Sequence, residues 1–166
     1  MEKLRKTVVV MATKLAKLAR MTTIVSLLIL AVSAIPAMAQ LSTFTAQLNS
    51  GQEPPPNTNN SNAFGVAFVT FDRATGELCF QITYTDERLL GAETVAHFHF
   101  SAPPGVNAPA RITLPPGSPK NGCVTPELTD QDIADLDAGL WYINVHTEIN
   151  PGGEIRGQVN TTFISY

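Results

Sequence analysis

The chain contains three histidines, and all three fall in strand-like sequence. In Val95-Ala96-His97-Phe98-His99-Phe100 the imidazoles alternate with aromatic rings. Residues two apart on a strand share a face and lie roughly 6.6 Å apart, so His97 and His99 can converge on one ion. His146 stands in Leu140-Trp141-Tyr142-Ile143-Asn144-Val145-His146-Thr147, where Trp141, Ile143 and Val145 share one face and Tyr142, Asn144 and His146 the other. If the two strands are neighbours, His97, His99 and His146 form a three-nitrogen set of the kind copper or zinc accepts. The plainer reading of the same residues is three strand histidines, exposed or hydrogen-bonded beside Glu154 and Arg156. Asn144, Glu154 and Arg156 are the polar residues expected to support the site.

Other chemistries find no footing. The chain has no nucleophile elbow, no phosphate-cradling glycine loop and no helical zinc-protease histidine pair. Glu148 and Glu154 flank a turn and read as charge partners of Arg156 rather than as an acid–base pair. The expectation is a protein that is not an enzyme.

His146 must be positioned by a hairpin. After its strand, Asn150-Pro151-Gly152-Gly153 supplies a fixed φ followed by residues free to take positive φ. Gly153-Glu154-Ile155-Arg156-Gly157-Gln158-Val159 then returns with Ile155 and Val159 apolar and Glu154, Arg156 and Gln158 pointing away. Such period-2 alternation predicts half-buried antiparallel strands with a polar outer face.

Earlier in the chain, Leu41 to Leu48 and Ala63 to Phe71 read as strands, and Asp72 to Glu77 as a hairpin loop into Leu78–Tyr84. Thr94 to Phe100, Ala110 to Leu114 and Gly122 to Val124 are further strands, separated by Pro/Gly turns. One short helix is expected over 129–138, capped by Thr129 with Asp130 and Asp132 in its first turn, and stopped at Gly139. It is read as a lid on the sheet edge, and Asp130, Asp132, Asp135 and Asp137 as a solvated face. The pattern predicts an all-β fold, an antiparallel Greek-key sandwich or barrel of about seven to eight strands.

The first 20 residues hold six of the 11 Lys and Arg, followed by an apolar run from Ile24 to Ile35 and then Pro36-Ala37-Met38-Ala39. This is the pattern of a signal peptide cut after Ala39, which places the protein outside the cytoplasm: secreted, periplasmic or at the cell surface. A retained anchor is the alternative, although the run is shorter than the roughly 20 residues that span a membrane. Residues 40–166 then form one domain with no membrane span. They carry five basic and 13 acidic side chains, a net charge of −8, which excludes nucleic acid as a partner. Cys79 and Cys123 are the two cysteines, and in an oxidising compartment they read first as one disulfide.

The segments Phe44-x-Ala-x-Leu48 with Gly51-Gln-Glu-Pro-Pro55, Ala96-His-Phe-His99, and Tyr142-Ile-Asn-Val-His-Thr147 with Asn150-Pro-Gly-Gly-Glu-Ile-Arg-Gly-Gln158 resemble the CHRD domain. The resemblance covers nearly all of residues 41–160. It implies an all-β extracellular domain, a non-enzymatic binding or structural module whose partner is an extracellular protein or matrix component. It brings no catalytic residues. Ser101-Ala-Pro-Pro-Gly105 stands where the family usually has a small Gly-rich loop. There is a looser likeness to copper–zinc superoxide dismutase: a His-x-His strand, a later strand histidine, then Gly152-Gly-Glu-Ile-Arg156. With no fourth histidine, a dismutase site cannot be assembled, and a copper- or zinc-binding protein is the alternative function.

Overall fold

The computed structural model describes residues 41–55 and 59–162; the expected signal peptide and its cleavage site lie outside the described residues. Eight antiparallel strands form one curled, half-barrel sheet. In chain order these are β1 (Leu41–Asn49), β2 (Phe64–Asp72), β3 (Glu77–Tyr84), β4 (Glu93–His99), β5 (Ala110–Thr113), β6 (Lys120–Val124), β7 (Trp141–Thr147) and β8 (Ile155–Thr161). The helix α1 (Asp130–Asp137) precedes β7. The sheet order is β5-β4-β7-β8-β1-β2-β3-β6, so the links β3–β4, β5–β6 and β6–β7 cross from one half of the sheet to the other. That is the expected all-β architecture, realised as one curled sheet with β5 and β6 as its edges.

Curling brings the two halves face to face around one core. Phe44, Ala46 and Leu48 of β1, Leu78, Phe80 and Ile82 of β3, and Ile143 and Val145 of β7 all point inward. Phe80 and Phe98, from opposite halves, meet edge to face with ring centroids 5.9 Å apart. On β2 the inward positions are Gly65, Ala67, Val69 and Phe71, while Phe64, Val66 and Phe68 stand outside, 53%, 47% and 60% exposed. The bulkier set faces water because the neighbouring strand leaves no room within: a Cβ on Gly65 would come 2.8 Å from the Thr83 carbonyl.

The helix forms as the sequence predicts. The Thr129 side chain and Asp132 cap each other reciprocally, and Gly139 stops it at φ 71°. It packs on the sheet with Asp132 beside the edge strand β5. Leu136 enters the core, Trp141 Nε1 donates to the Asp132 carbonyl at 2.9 Å, and Arg73 of the β2–β3 loop pairs with Asp137 at 2.6 Å. The aspartate face is not wholly solvated. Asp132 and Asp135 are buried, the first near Arg111 of β5 at 3.5 Å and the second accepting from Ser101 and Gln131.

Cys79 of β3 lies directly opposite Cys123 of β6, and the two form a disulfide closing 44 residues of sequence. On loop entropy its removal by Cys79→Ala with Cys123→Ala is expected to lower stability by roughly 3–4 kcal/mol. Urea unfolding of the two proteins checks this. Equal midpoints would mean that the β3–β6 pairing already holds the edge without the bond.

Candidate functional site: three imidazoles under a loop

β4 and β7 pair antiparallel, with Val95 opposite His146, His97 opposite Asn144 and His99 opposite Tyr142. All six therefore share the outer face of the sheet. The adjacency on which the three-nitrogen set depended is present. Ring centroids are 5.6 Å apart for His97 and His99, 5.3 Å for His97 and His146, and 6.0 Å for His99 and His146. One ligand nitrogen from each histidine lies within 4.8 Å of the other two. Some point then lies within about 2.8 Å of all three nitrogens, so movements under about 1 Å reach the 2.0–2.1 Å of a metal–imidazole bond.

Backbone carbonyls fix two of the rings. His99 Nδ1 lies 2.8 Å from the Ala108 carbonyl and His146 Nδ1 lies 3.0 Å from that of Pro151. A carbonyl only accepts, so both Nδ1 atoms carry the proton and both Nε2 atoms keep a lone pair. His99 Nε2, His146 Nε2 and His97 Nδ1 are buried with no hydrogen-bond partner. Two Nε2 lone pairs and an unpartnered His97 Nδ1, gathered on one strand face, are an arrangement a cation relieves.

The outer face of this hairpin is covered. Just after β4, Ser101 takes φ 62° and its hydroxyl bonds Asp135, which turns the chain back over β7 and β8. Arg156 then donates to the carbonyls of Val106 at 2.9 Å and Pro103 at 3.4 Å, and Gln158 Nε2 to that of Ala102 at 2.8 Å. The Tyr142 hydroxyl accepts from the Ala108 amide at 3.0 Å. The polar residues of the hairpin thus serve as clamps for the loop that carries Ala108, which in turn orients His99. Arg156, 1% exposed, stacks its guanidinium 3.4 Å above the Tyr142 ring, and that ring stacks on His99 at 4.4 Å and 5°.

Glu154 and Arg156 were expected to pair, but their partners are different. The Glu154 carboxylate, fully buried, accepts from Ser61 at 2.6 Å, the Leu90 amide and Thr147 at 2.7 Å, and Asn150 at 3.0 Å. Burial alone would raise its pKa; these four bonds outweigh burial and hold it below the usual carboxylate value. It ties the β7–β8 turn to the β1–β2 link and takes no part in the imidazole cluster. Asn144, beside His97, hydrogen-bonds Glu53, whose pKa burial pushes up to about 7 against the pull of Arg156 and of that bond. Gly153, at φ 129°, must be glycine: a Cβ would lie 2.6 Å from both Glu53 Oε1 and Asn144 Oδ1. Tyr142 and Glu53 were not singled out as site residues. Tyr142 is flagged in the sequence by its shared face with His146, and Glu53 by its place in Gly51-Gln-Glu-Pro-Pro55.

Burial lowers the pKa of all three histidines, helped at His97 by the charge of His146. At His99 burial wins over the Ala108 carbonyl, and His146, His97 and Arg156 add to it, giving about 4. A histidine depressed in the folded state is protonated first in the unfolded chain. Its contribution is therefore complete above the unfolded value near 6.5 and is lost as pH falls toward 4. The metal-free protein is expected to lose on the order of 2 kcal/mol through His99 alone between pH 7 and pH 4. Urea midpoints of wild type and His99→Gln across that range check this, and parallel curves would contradict it.

These features define an all-β, disulfide-bonded Greek-key domain bearing a three-histidine cluster beside a clamped loop. The family model of the CHRD domain matches residues 44–159, and the chain belongs to that family, whose domains are typically extracellular. No curated protein and no solved structure matches it. No helix among the described residues is long and apolar enough to cross a membrane.

Proposed function

We propose that this CHRD domain is an exported, non-enzymatic binding module whose ligand is a transition-metal ion, copper or zinc, held by His97, His99 and His146. One observation carries the reading: three histidines that each offer a ring nitrogen within 4.8 Å of the others', each also holding a buried ring nitrogen without a hydrogen-bond partner among the described residues, with two of the rings fixed by backbone carbonyls. Neutral imidazole is the protonation state a metal requires, and the lowered pKa values keep it available below neutral pH. The basic, then apolar, then Ala-x-Ala leader supports export with cleavage after Ala39. The test is metal analysis after loading with copper or zinc and exhaustive dialysis. One ion per chain is expected; no retained metal at micromolar concentrations would sink the proposal.

A second reading, recognition of an extracellular protein or matrix component, has its own support. Phe64, Val66 and Phe68 form an exposed apolar row on β2, flanked by the uncharged Thr45, Gln47, Gln81 and Thr83. Phe64→Ser with Phe68→Ser is expected to abolish such binding with an unfolding midpoint near wild type. Binding to matrix material that survives both changes would rule the row out.

A further inference from the structure

We infer that the three-imidazole site selects copper in its +1 state over divalent ions, an inference that rests on the metal-binding reading above. The first ground is the donor set. Among the described residues the cluster contains histidine alone, with no carboxylate in it, and both cysteine sulfurs are spent in the disulfide. Three neutral ligands leave a bound ion with its whole charge, +1 for Cu(I) and +2 for Zn(II) or Cu(II). Desolvating the larger charge costs far more.

The second ground is coordination number. Zn(II) takes four ligands, and Cu(II) favours a tetragonal set. With three protein nitrogens either ion must keep water. Here His97 Nδ1, His99 Nε2 and His146 Nε2 are each buried from solvent, although the His97 and His146 side chains are exposed in part. A three-coordinate, trigonal ion fits that enclosure, and Cu(I), a closed-shell d¹⁰ ion, accepts three nitrogens without a fourth.

The third ground is the field. Arg156 carries a guanidinium stacked on Tyr142, itself stacked on His99, so a positive charge, offset in part by the half-protonated Glu53 near it, stands two rings behind one ligand. Its position is held by the carbonyls of Val106 and Pro103 and by the side chain of Gln158. At a separation of about 10 Å and an effective dielectric of about 20, each further unit of charge on the ion costs about tenfold in affinity. The same charge favours the reduced ion.

Anaerobic competition with a chromophoric Cu(I) chelator, beside zinc and Cu(II) titrations of the full chain, tests the inference. The expected result is one Cu(I) per chain, zinc at least 100-fold weaker, and a bound-copper potential more positive than that of aqueous copper. Zinc bound as tightly as Cu(I), or a potential below the aqueous value, would overturn the inference and leave the metal-binding reading standing. Failure to bind any of the three ions would end both. A folded Arg156→Gln protein is expected to lose about tenfold of its Cu(I)-over-zinc preference, and Arg156→Lys to keep it. If Arg156→Gln does not fold, the wild-type comparison still decides.

Discussion

His97→Ala and His146→Ala are each expected to weaken metal binding by at least about 100-fold while leaving the fold intact. Removing one of three nitrogens deprives the ion of one of its three protein bonds and leaves two rings whose positions are set for a third. Neither ring is a structural keystone. Both are partly exposed, His97 Nδ1 and His146 Nε2 have no partner among the described residues, and His146 gives up only its bond to the Pro151 carbonyl. His97 contributes nothing to the β4–β7 ladder beyond backbone bonds, which alanine keeps. Unfolding midpoints at pH 7 should therefore lie close to wild type, and at pH 5 the variants should be relatively more stable, because each has lost a group that resists protonation in the folded state. Equilibrium dialysis against copper and zinc gives the affinities. If both variants bind as wild type does, the ion is held elsewhere.

The largest stability effect is expected at the opposite side of the sheet opening. Lys120 of β6, fully buried, reaches across to Glu93 of β4 at 2.5 Å and to the Pro115 carbonyl at 2.7 Å. The Tyr84 hydroxyl donates to the same carboxylate at 2.5 Å, and burial with that carboxylate beside it pushes the phenol above its ordinary range. This cluster spans the two halves of the sheet where no backbone ladder does. Lys120→Met removes the cation and leaves a carboxylate without its charge partner, a loss of about 3–5 kcal/mol. Lys120→Met with Glu93→Gln should regain part of it, since no uncompensated charge then remains. The exposed pair Arg73–Asp137, at 2.6 Å, is the control: Asp137→Asn should cost under about 1 kcal/mol. Urea unfolding of the three variants checks the ranking, and a Lys120→Met loss no larger than the surface control would contradict it.

The parts legible in the sequence are those written in local pattern. Phe44, Ala46 and Leu48, or Leu78, Phe80 and Ile82, alternate with polar residues, and every one of them is buried. Thr129 and Gly139 mark the helix ends, and a lone pair of cysteines has one way to join. Periodicity alone did not say which side of β2 faces inward. Its two sides are both apolar, and the choice falls to Gly65 and Ala67 because the adjacent backbone is close. The covering of the hairpin was illegible for a different reason. Arg156 and Val106 are 50 residues apart, Gln158 and Ala102 are 56, and no local rule joins them. Alternation marks a strand face as polar without saying what it meets, and here it clamps a loop. The histidine set lies between these cases. His97 and His99 share a face by spacing, whereas His146 joins them only through the pairing of β4 with β7.

The most direct measurement is a crystal structure of the copper-loaded protein with anomalous data collected on both sides of the copper edge. The account predicts one strong copper peak, about 2 Å from His97 Nδ1, His99 Nε2 and His146 Nε2, with the Ala108 and Pro151 carbonyls still on the two Nδ1 atoms. No peak among the three rings, or a peak bound by other side chains while the imidazoles stay 5–6 Å apart as they are here, would contradict it.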